Sequence, residues 1–410
     1  ATAPALFITS IMAAYRGLFQ GHQQMAPNAN SQIVEQVVRV GSGLVLTYIF
    51  VQRSVALGAA GFNFGDVLGA LAGLAYLLFL ANRAGDSLWE LPPDAAPPEA
   101  RPPRPEGAGR LIRRILAVAA PIAVAGAVVP LMMQVDVFFV FRALAANGIV
   151  GDDAQAQYGI LTNAFMIAYL PAVFTSAIYT SILPAITRAT ALGRTAEARR
   201  KAGQAYRMTM LVAVPAQAGL LALATGVYAM LFGDLAGGAA MAAMAWSVVP
   251  IMLQQTTSGV LQGAGSIALP VRNFVVGALV KAALTAWWTG PWGIRGAAWA
   301  TAAGFLVAAL LNVIYVERLM GRTLRTRSMV FKPTFAALAM AGSIMLARVP
   351  LRAWLGEGAA PTLGLVALGG AVYGLVILLV GGIHADELQA LPLVGNRLAR
   401  MLGRRKRVRA

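Results

Sequence analysis

The sequence predicts an all-α polytopic membrane protein, and three observations lead to that prediction. Of the 410 residues, 58% are hydrophobic and only 12% are charged, and the mean hydropathy is +0.68. Soluble domains have about 45–50% apolar and about 25% charged residues. Apolar stretches also recur along the whole chain. At about 20 residues per spanning helix, this length has room for about ten to a dozen spans.

Eleven apolar stretches are long enough to be membrane-spanning helices. Each is rich in Gly and Ala, the small residues that allow helices to approach closely in lipid. Prolines in or near several of them are expected to bend the helices, because membrane helices tolerate proline. In chain order the predicted spans are residues 3–20, 28–50, 58–82, 112–141, 157–183, 206–232, 240–261, 267–289, 294–317, 331–350 and 361–383.

The positive charges predict the orientation. Of the 33 Lys and Arg residues, 24 lie in the segments 83–114, 188–207, 318–332 and 397–409, whereas the opposite loops hold five. Cytoplasmic loops carry an excess of Lys and Arg, so these segments and the C-terminus are expected in the cytoplasm. The net charge of +17 then reflects orientation, and no nucleic acid partner is expected. The run GRRKRVRA at the C-terminus is expected to attract anionic lipid headgroups.

A Pro-rich charged segment, LPPDAAPPEARPPRPE at 91–106, is predicted to be an extended linker between two lobes. GLFQG at 17–21 matches GVLQG at 259–263, which predicts a parallel repeat. The predicted organisation is the second half of an N-lobe with three helices at 1–83, a cytoplasmic linker at 84–110, a C-lobe of six helices at 111–319, two additional helices at 320–384 and a basic cytoplasmic tail at 385–410.

The repeat also predicts what a complete first lobe contains. Three spans at 112–232 precede the span that ends in GVLQG, whereas the span that ends in GLFQG is the first of this chain. If the lobes are equivalent, about 120 residues and three spans precede Ala1, for a total of about fourteen spans. The first residue is not Met and no signal peptide precedes the first span, which fits processing or truncation.

Three long motifs carry a family resemblance. ATAPALFITSIMAAYRGLFQGHQQMAPNANSQIVEQVVRV lies at 1–40, PIAVAGAVVPLMMQVDVFFVFRAL at 121–144 and QQTTSGVLQGAGSIALPV at 254–271. They resemble the fourth and fifth, the seventh, and the tenth and eleventh spans of the polysaccharide-transporter branch of the multidrug/oligosaccharidyl-lipid/polysaccharide exporter superfamily. That branch includes spore-cortex proteins of the SpoVB type and lipid II flippases of the MurJ type.

The resemblance implies a flippase that moves a lipid-linked saccharide, such as a lipid II-like or polysaccharide precursor, across the bacterial inner membrane by alternating access. It does not specify the sugar or the lipid carrier. In lipid II flippases the first three helices carry arginines that face the cavity, and this chain has no counterpart of those helices. The family's site therefore cannot be carried over in full.

Five charged residues fall within or beside predicted spans, where an ionisable group is costly and marks a functional site by default. Arg16, Arg39 and Lys281 are candidates to bind the anionic substrate, with snorkelling to the interface as the alternative for Arg16 and Lys281. Asp136 and Glu35 are candidates for a coupling ion, H⁺ or Na⁺. Glu35 and Arg39 also have the i, i+4 spacing of an intrahelical ion pair. Asp136 has no basic residue one turn away and needs a partner on another helix or protonation.

Other polar and aromatic residues have more ordinary interpretations. Asp66 follows GFNFG and is predicted to cap a helix after a Gly-rich turn. Trp287, Trp288 and Trp292 are predicted to lie at the outer interface, with stacking on sugar rings as a second interpretation. Two further groups of polar residues are not predicted to bind a ligand. His22 and His384 are expected in solvent. Interhelical hydrogen bonds are expected for Gln20, Asn30, Gln254, Gln255, Gln262 and Asn273.

Two other functions stay open. A cation-coupled multidrug antiporter of the same superfamily would favour acidic groups in the cavity, and Glu35, Asp66 and Asp136 lie near or in the membrane. A membrane glycosyltransferase would need an acid/base pair or an acidic metal site. The only adjacent acids in an outer loop, Asp152 and Asp153, follow a Gly and indicate a solvated turn. With no Cys and two His, no metal, cofactor or enzymatic activity is expected.

Overall fold

The computed structural model of the protein describes residues 3–22, 24–85, 107–323, 327–356 and 358–382. Within these ranges the regular structure consists of thirteen α-helices and one π-helical turn. The chain forms two compact units, Ala1–Leu111 and Ile112–Ala410. The predicted linker at 91–106, His384 and the basic tail at 385–410 lie outside the described residues.

The first unit is built on three helices, α1 (Ala3–Gly21), α2 (Met25–Val51) and α3 (Val55–Ala84). A line of buried glycines on α3 lets α2 pack against it at close range. A Cβ at Gly65 would lie 2.7 Å from the Arg39 carbonyl oxygen, and one at Gly69 would lie 2.7 Å from the Arg39 Cβ. These are closer than real carbon contacts, so larger residues would push the helices apart. Small residues thus set the α2–α3 distance, as is usual in lipid.

The second unit contains the remaining elements. They are α4 (Ala108–Ala146), α5 (Asp152–Tyr169), α6 (Ala172–Ala191), α7 (Thr195–Phe232), α8 (Gly238–Ala245), α9 (Val248–Gly263), α10 (Ala268–Trp292), α11 (Ile294–Met320), the π-helical turn Arg327–Phe331, α12 (Lys332–Leu355) and α13 (Ala359–Leu379). Of the 16 residues of α9, 13 are buried, which makes α9 the central helix of this unit. GLFQG and GVLQG each end a helix, α1 and α9.

Two predicted spans are interrupted, and the prediction of continuous helices there is wrong. Residues 157–183 divide into α5 and α6 because Pro171 has no N–H, and the carbonyl of Ile167 accepts from Leu170 instead, at 3.2 Å. Residues 240–261 divide into α8 and α9. There Pro250 cannot donate to the turn before it, and the amide and hydroxyl of Ser247 both donate to the Met244 carbonyl, at 2.9 and 2.7 Å.

Seven of the described helical segments are long and apolar enough to cross a membrane. They are Ala26–Val51, Val55–Ala84, Thr195–Phe232, Ala268–Trp292, Ile294–Met320, Met329–Leu355 and Ala359–Leu379. Many large apolar side chains on them are exposed, among them Tyr48, Phe79 and Leu279, which fits a surface surrounded by lipid. The predicted fold class, an all-α polytopic membrane protein, is confirmed.

Polar residues on α9 are satisfied by neighbouring helices. Asn312 of α11 donates to the hydroxyls of Thr257 and Ser258, at 3.1 Å each, and accepts from Asn273 of α10 at 2.9 Å. Gln255 donates to the Tyr169 hydroxyl of α5 at 2.7 Å, whereas Gln254 donates to Ser258 of α9 itself at 3.1 Å. In the first unit Asn30 donates to the Tyr76 hydroxyl at 3.2 Å. The interhelical role predicted for Asn30, Gln255 and Asn273 is therefore confirmed, whereas Gln254 bonds within its own helix and its predicted interhelical role is wrong.

Candidate functional site

An ion pair joins the two charged residues predicted inside the membrane of the second unit. The Lys281 Nζ of α10 lies 2.8 Å from the Asp136 Oδ2 of α4, with side-chain exposures of 2% and 13%. Asp136 was expected to need a cation on another helix, and Lys281 supplies it. Removing two charges from solvent is costly, so a buried pair of this kind depends on both partners being present.

Glycines explain how the Lys281 stem comes to be buried. At the crossing of α10 and α11, a Cβ added to Gly304 would lie 2.7 Å from the Lys281 Cβ and 2.8 Å from the Gly277 carbonyl oxygen. Only glycine fits at such a distance. The close crossing covers the aliphatic part of the lysine and leaves its ammonium group at Asp136 instead of at the membrane interface. The snorkelling alternative for Lys281 is therefore wrong.

Unsatisfied polar atoms lie in this pair and along the α10 face that carries Lys281. Within the described part of the chain, Asp136 Oδ1, Thr285 Oγ1 and Thr289 Oγ1 are buried and have no hydrogen-bond partner. Lys281, Thr285 and Thr289 follow one another at four-residue spacing, so they lie along one face of α10. Buried polar groups are normally hydrogen-bonded, and unpaired ones are costly. One oxygen of the pair can therefore accept another hydrogen bond, and two unpaired hydroxyls lie one and two helical turns from Lys281 on the same face of α10.

A second pair links α1 and α2 in the first unit. The Arg16 Nη2 lies 2.8 Å from the Glu35 Oε2, and the side chains are 18% and 15% exposed. The Arg16 Nε also donates to the Ser31 hydroxyl at 3.0 Å, and Ser31 is fully buried. Two partners on the next helix therefore hold Arg16.

A third pair replaces the one that the sequence predicted on a single helix. Arg39 does not bind Glu35, because Arg16 already occupies that carboxylate. It turns instead to Asp66 of α3, with Nε and Oδ1 3.5 Å apart and exposures of 40% and 36%. Asp66 is not a cap: GAAGFNFG is helical, and Ser54 caps α3 by accepting from the Leu57 amide at 3.1 Å. Both predictions, the intrahelical pair and the cap, are wrong.

All five charged candidates therefore lie in ion pairs between different helices. The Arg16–Glu35 and Lys281–Asp136 pairs are short and mostly buried, whereas Arg39–Asp66 is longer and more exposed. Each cation is neutralised by one carboxylate, and charge-assisted hydrogen bonds of this kind are the strong ones. In each short pair, an anionic ligand could take the place of the carboxylate next to the Lys or Arg side chain.

Some residues and contacts of these ion pairs could not be identified from the sequence. The partnership of Asp136 and Lys281 joins residues 145 positions apart, and no local spacing reveals it. Thr285 and Thr289 could have been found from their four-residue spacing after Lys281. Ser31 gave no signal beyond its position in an apolar helix, and Asp66 was noticed as an acid near the membrane but not as the partner of Arg39. Among the described residues, no group of three or more His, Cys, Asp and Glu side chains could hold a metal ion.

Comparison with known proteins bears on the predicted family. A family model described as a polysaccharide biosynthesis protein matches residues 1–190. Stage V sporulation protein B of Bacillus subtilis strain 168 is 26% identical over 98% of this chain and 76% of its own length. The resemblance to the polysaccharide-transporter branch is confirmed. The uncharacterized membrane protein YabM of the same strain is 28% identical over 98% of this chain and 75% of that protein.

Lipid II flippases are among the similar proteins as well. Lipid II flippase MurJ of Bacillus subtilis strain 168 is 26% identical over 77% of this chain, which spans 58% of that flippase. The solved structure of a lipid II flippase MurJ in an inward closed conformation has a TM-score of 0.63, covering 91% of this chain and 71% of that one at 14% identity. This likeness shows that the fold is shared.

Proposed function

We propose that the protein is a flippase of the bacterial inner membrane that moves a lipid-linked saccharide between leaflets by alternating access. The observation that carries the proposal is the buried Lys281–Asp136 pair, since a lysine inside the membrane at 2% exposure is a rare and costly feature. The match to a family model described as a polysaccharide biosynthesis protein and the similarity to lipid II flippase MurJ support the substrate class. Lipid II flippase MurJ is named as a flippase, which agrees with a transport role.

The substrate would be recognised through its negative charge. A pyrophosphate-linked lipid carries an anionic group that can compete with Asp136 for Lys281 and with Glu35 for Arg16. In a medium of low dielectric constant, such competition is strong. Substrate binding would open a pair and free a carboxylate, and release would close it again. A ligand that binds one state better than the other shifts the population in this way.

The freed carboxylate suggests how a coupling ion would take part. Asp136 and Glu35 each hold an internal cation at 2.8 Å in the structure. A proton or Na⁺ would be needed at these carboxylates only when the substrate has taken the cation. The multidrug antiporter alternative gains no support from the similar proteins, since none of the three named relatives is described as an antiporter.

Flipping can be measured directly on the protein expressed from its complete gene. The purified protein would be reconstituted in vesicles with a fluorescent lipid-linked saccharide, and the fraction accessible to an impermeant quencher recorded with time. We expect protein-dependent movement between leaflets, together with complementation of a flippase-deficient strain. Movement no faster than in empty vesicles, from folded protein, would contradict the proposal. Cation-driven efflux of dyes without lipid movement would favour the antiporter.

The orientation is a separate prediction. The linker at 84–110 and the segment around Arg199 should be cytoplasmic, because of the excess of Lys and Arg there. The chain has no Cys, so single cysteines report sidedness. Cysteines at Ala95 and Ala196 should react with an impermeant thiol reagent only after permeabilisation, whereas one at Ala146 should react in intact cells.

These positions are chosen to avoid a false result. Ala196 and Ala146 are exposed, whereas Ala198 is 2% exposed, and a cysteine there would be protected by burial on either side of the membrane. Labelling of Ala95→Cys and Ala196→Cys in intact cells, with Ala146→Cys protected, would reverse the orientation.

A further inference from the structure

An apolar cavity of about 370 Å³ lies between α8–α9 and the α10–α11 hairpin, entirely within the second unit. The volume falls in the range of about 300–1,000 Å³ that is usual for ligand pockets. Its lining contains four indole rings and no charged side chain: Trp246, Pro250, Trp288, Trp292, Trp299, Ala302, Ala303 and Leu306. We call it the tryptophan pocket.

The tryptophan pocket is a defined structure and opens at the surface of the helices. Trp292 contacts Trp288 at 5.6 Å and Trp299 at 5.4 Å between ring centroids, the latter edge to face. Trp246 is 53% exposed and Leu306 is 43% exposed. Around spanning helices, a sideways opening of this kind faces hydrocarbon. A sugar in it would find no acceptor or charged side chain for its hydroxyl groups, which disfavours the stacking of sugar rings.

A cation lies at one end of the tryptophan pocket. Arg295 begins α11 one turn before Trp299, and Ala302, Ala303 and Leu306 continue the same helix face at helical spacing. Arg295 is exposed and forms no ion pair within the described ranges. It belongs to the turn that joins two spanning helices at Gly293, where headgroups are expected.

The dimensions match a lipid chain. From Arg295 to Leu306 the helix advances eleven residues, or about 16 Å at 1.5 Å per residue. One leaflet of a bilayer contributes about half of a hydrocarbon core that is about 30 Å thick. The face therefore has a cationic group at headgroup level and an apolar cavity that extends about one leaflet inwards.

We propose that the tryptophan pocket binds an acyl chain of an anionic glycerophospholipid from the surrounding bilayer, with the lipid phosphate at Arg295. The occupant enters sideways from the membrane and is held by indole faces along its chain. The proposal does not depend on transport, because it concerns a lipid bound to the outside of the second unit and not the substrate.

Photo-crosslinking in nanodiscs tests this assignment. Phosphatidylglycerol with a diazirine in its acyl chain would be compared with phosphatidylcholine of the same chain, and the labelled residues identified by mass spectrometry. We expect phosphatidylglycerol to label residues 288–306 preferentially. Arg295→Gln should lower this labelling about fivefold, the effect of one cation–headgroup attraction. Arg348→Gln, at an exposed arginine near the end of α12, is the matched control and should change nothing.

Two further arms keep the proposal falsifiable if a variant fails to fold. Ala303→Phe fills the tryptophan pocket and should reduce labelling by both lipids. On the unmodified protein, excess unlabelled phosphatidylglycerol should displace the probe better than phosphatidylcholine does. Labelling spread evenly over the helices, or equal labelling by both lipids, would overturn the proposal. Stronger displacement by undecaprenyl phosphate than by phosphatidylglycerol would assign the pocket to the carrier lipid and overturn it too.

Discussion

The Lys281→Met variant is expected to lose most of its folded protein. Methionine has nearly the volume of lysine and suits the apolar crossing of α10 and α11, so packing changes little. The loss comes from Asp136, whose carboxylate is 13% exposed and is left without its cation. Removing one partner of a buried pair costs about 3–5 kcal/mol. The free energy of unfolding of a typical protein is only about 5–15 kcal/mol, so this loss is a large part of it.

The double variant Lys281→Met/Asp136→Leu should recover most of this loss. Apolar residues at both positions leave no buried charge and no unpaired amide, and replacing a buried pair by well-packed apolar residues of similar volume is often close to neutral in stability. Abundance and thermal unfolding in detergent, followed by size-exclusion chromatography, are the measurements. Arg39→Met is the control, because its pair is 40% and 36% exposed and exposed pairs contribute about 0–1 kcal/mol. A double variant as unstable as the single one would contradict the argument.

The double variant also separates structure from transport. It removes the proposed exchange of anions at Lys281 while restoring the fold. If it is folded but does not flip lipid-linked saccharide, the pair acts in transport. If the double variant moves the lipid-linked saccharide at the normal rate, Lys281 and Asp136 have only a structural role, and the proposal that the substrate competes with Asp136 is contradicted.

Much of the fold followed from the sequence because membrane helices are specified locally. Composition, spacing and the ends of apolar stretches predicted α1–α3 and α10–α13 nearly as observed. The two interrupted spans were missed because proline in a membrane helix is compatible with either a bend or a break. At Pro171 and Pro250 the outcome depends on whether neighbouring carbonyls find other donors, and that depends on the packed structure.

The ion pairs show where local reasoning fails. Glu35 and Arg39 have suitable spacing on one helix, yet each binds a residue of another helix, Arg16 and Asp66 respectively. The decisive factor is the approach of the helices, since Gly65 and Gly69 bring α3 close to Arg39. Spacing along one helix predicts which side chains are able to form an ion pair, but charged residues on neighbouring helices compete and determine which pairs form.

Replacing the Arg16–Glu35 pair by neutral residues is expected to abolish most transport without unfolding the protein. Arg16→Ala alone would mix two effects, because it also strands Glu35, which is 15% exposed. In Arg16→Gln/Glu35→Gln the net charge is unchanged, and the two amides can still hydrogen-bond to each other and to Ser31. Abundance and thermal unfolding should therefore stay near those of the unmodified protein.

Flipping by this variant should nevertheless fall about tenfold or more. A hydrogen bond to a charged group contributes about 1.5–3 kcal/mol, and about 1.4 kcal/mol corresponds to a factor of ten. The anionic headgroup of the substrate would lose such a bond when Arg16 becomes Gln. Arg53→Gln, at an exposed arginine between α2 and α3, is the control and should flip normally. Unchanged flipping by the paired variant would show that Arg16 only holds α1 against α2, and a fall in abundance equal to the fall in flipping would lead to the same conclusion.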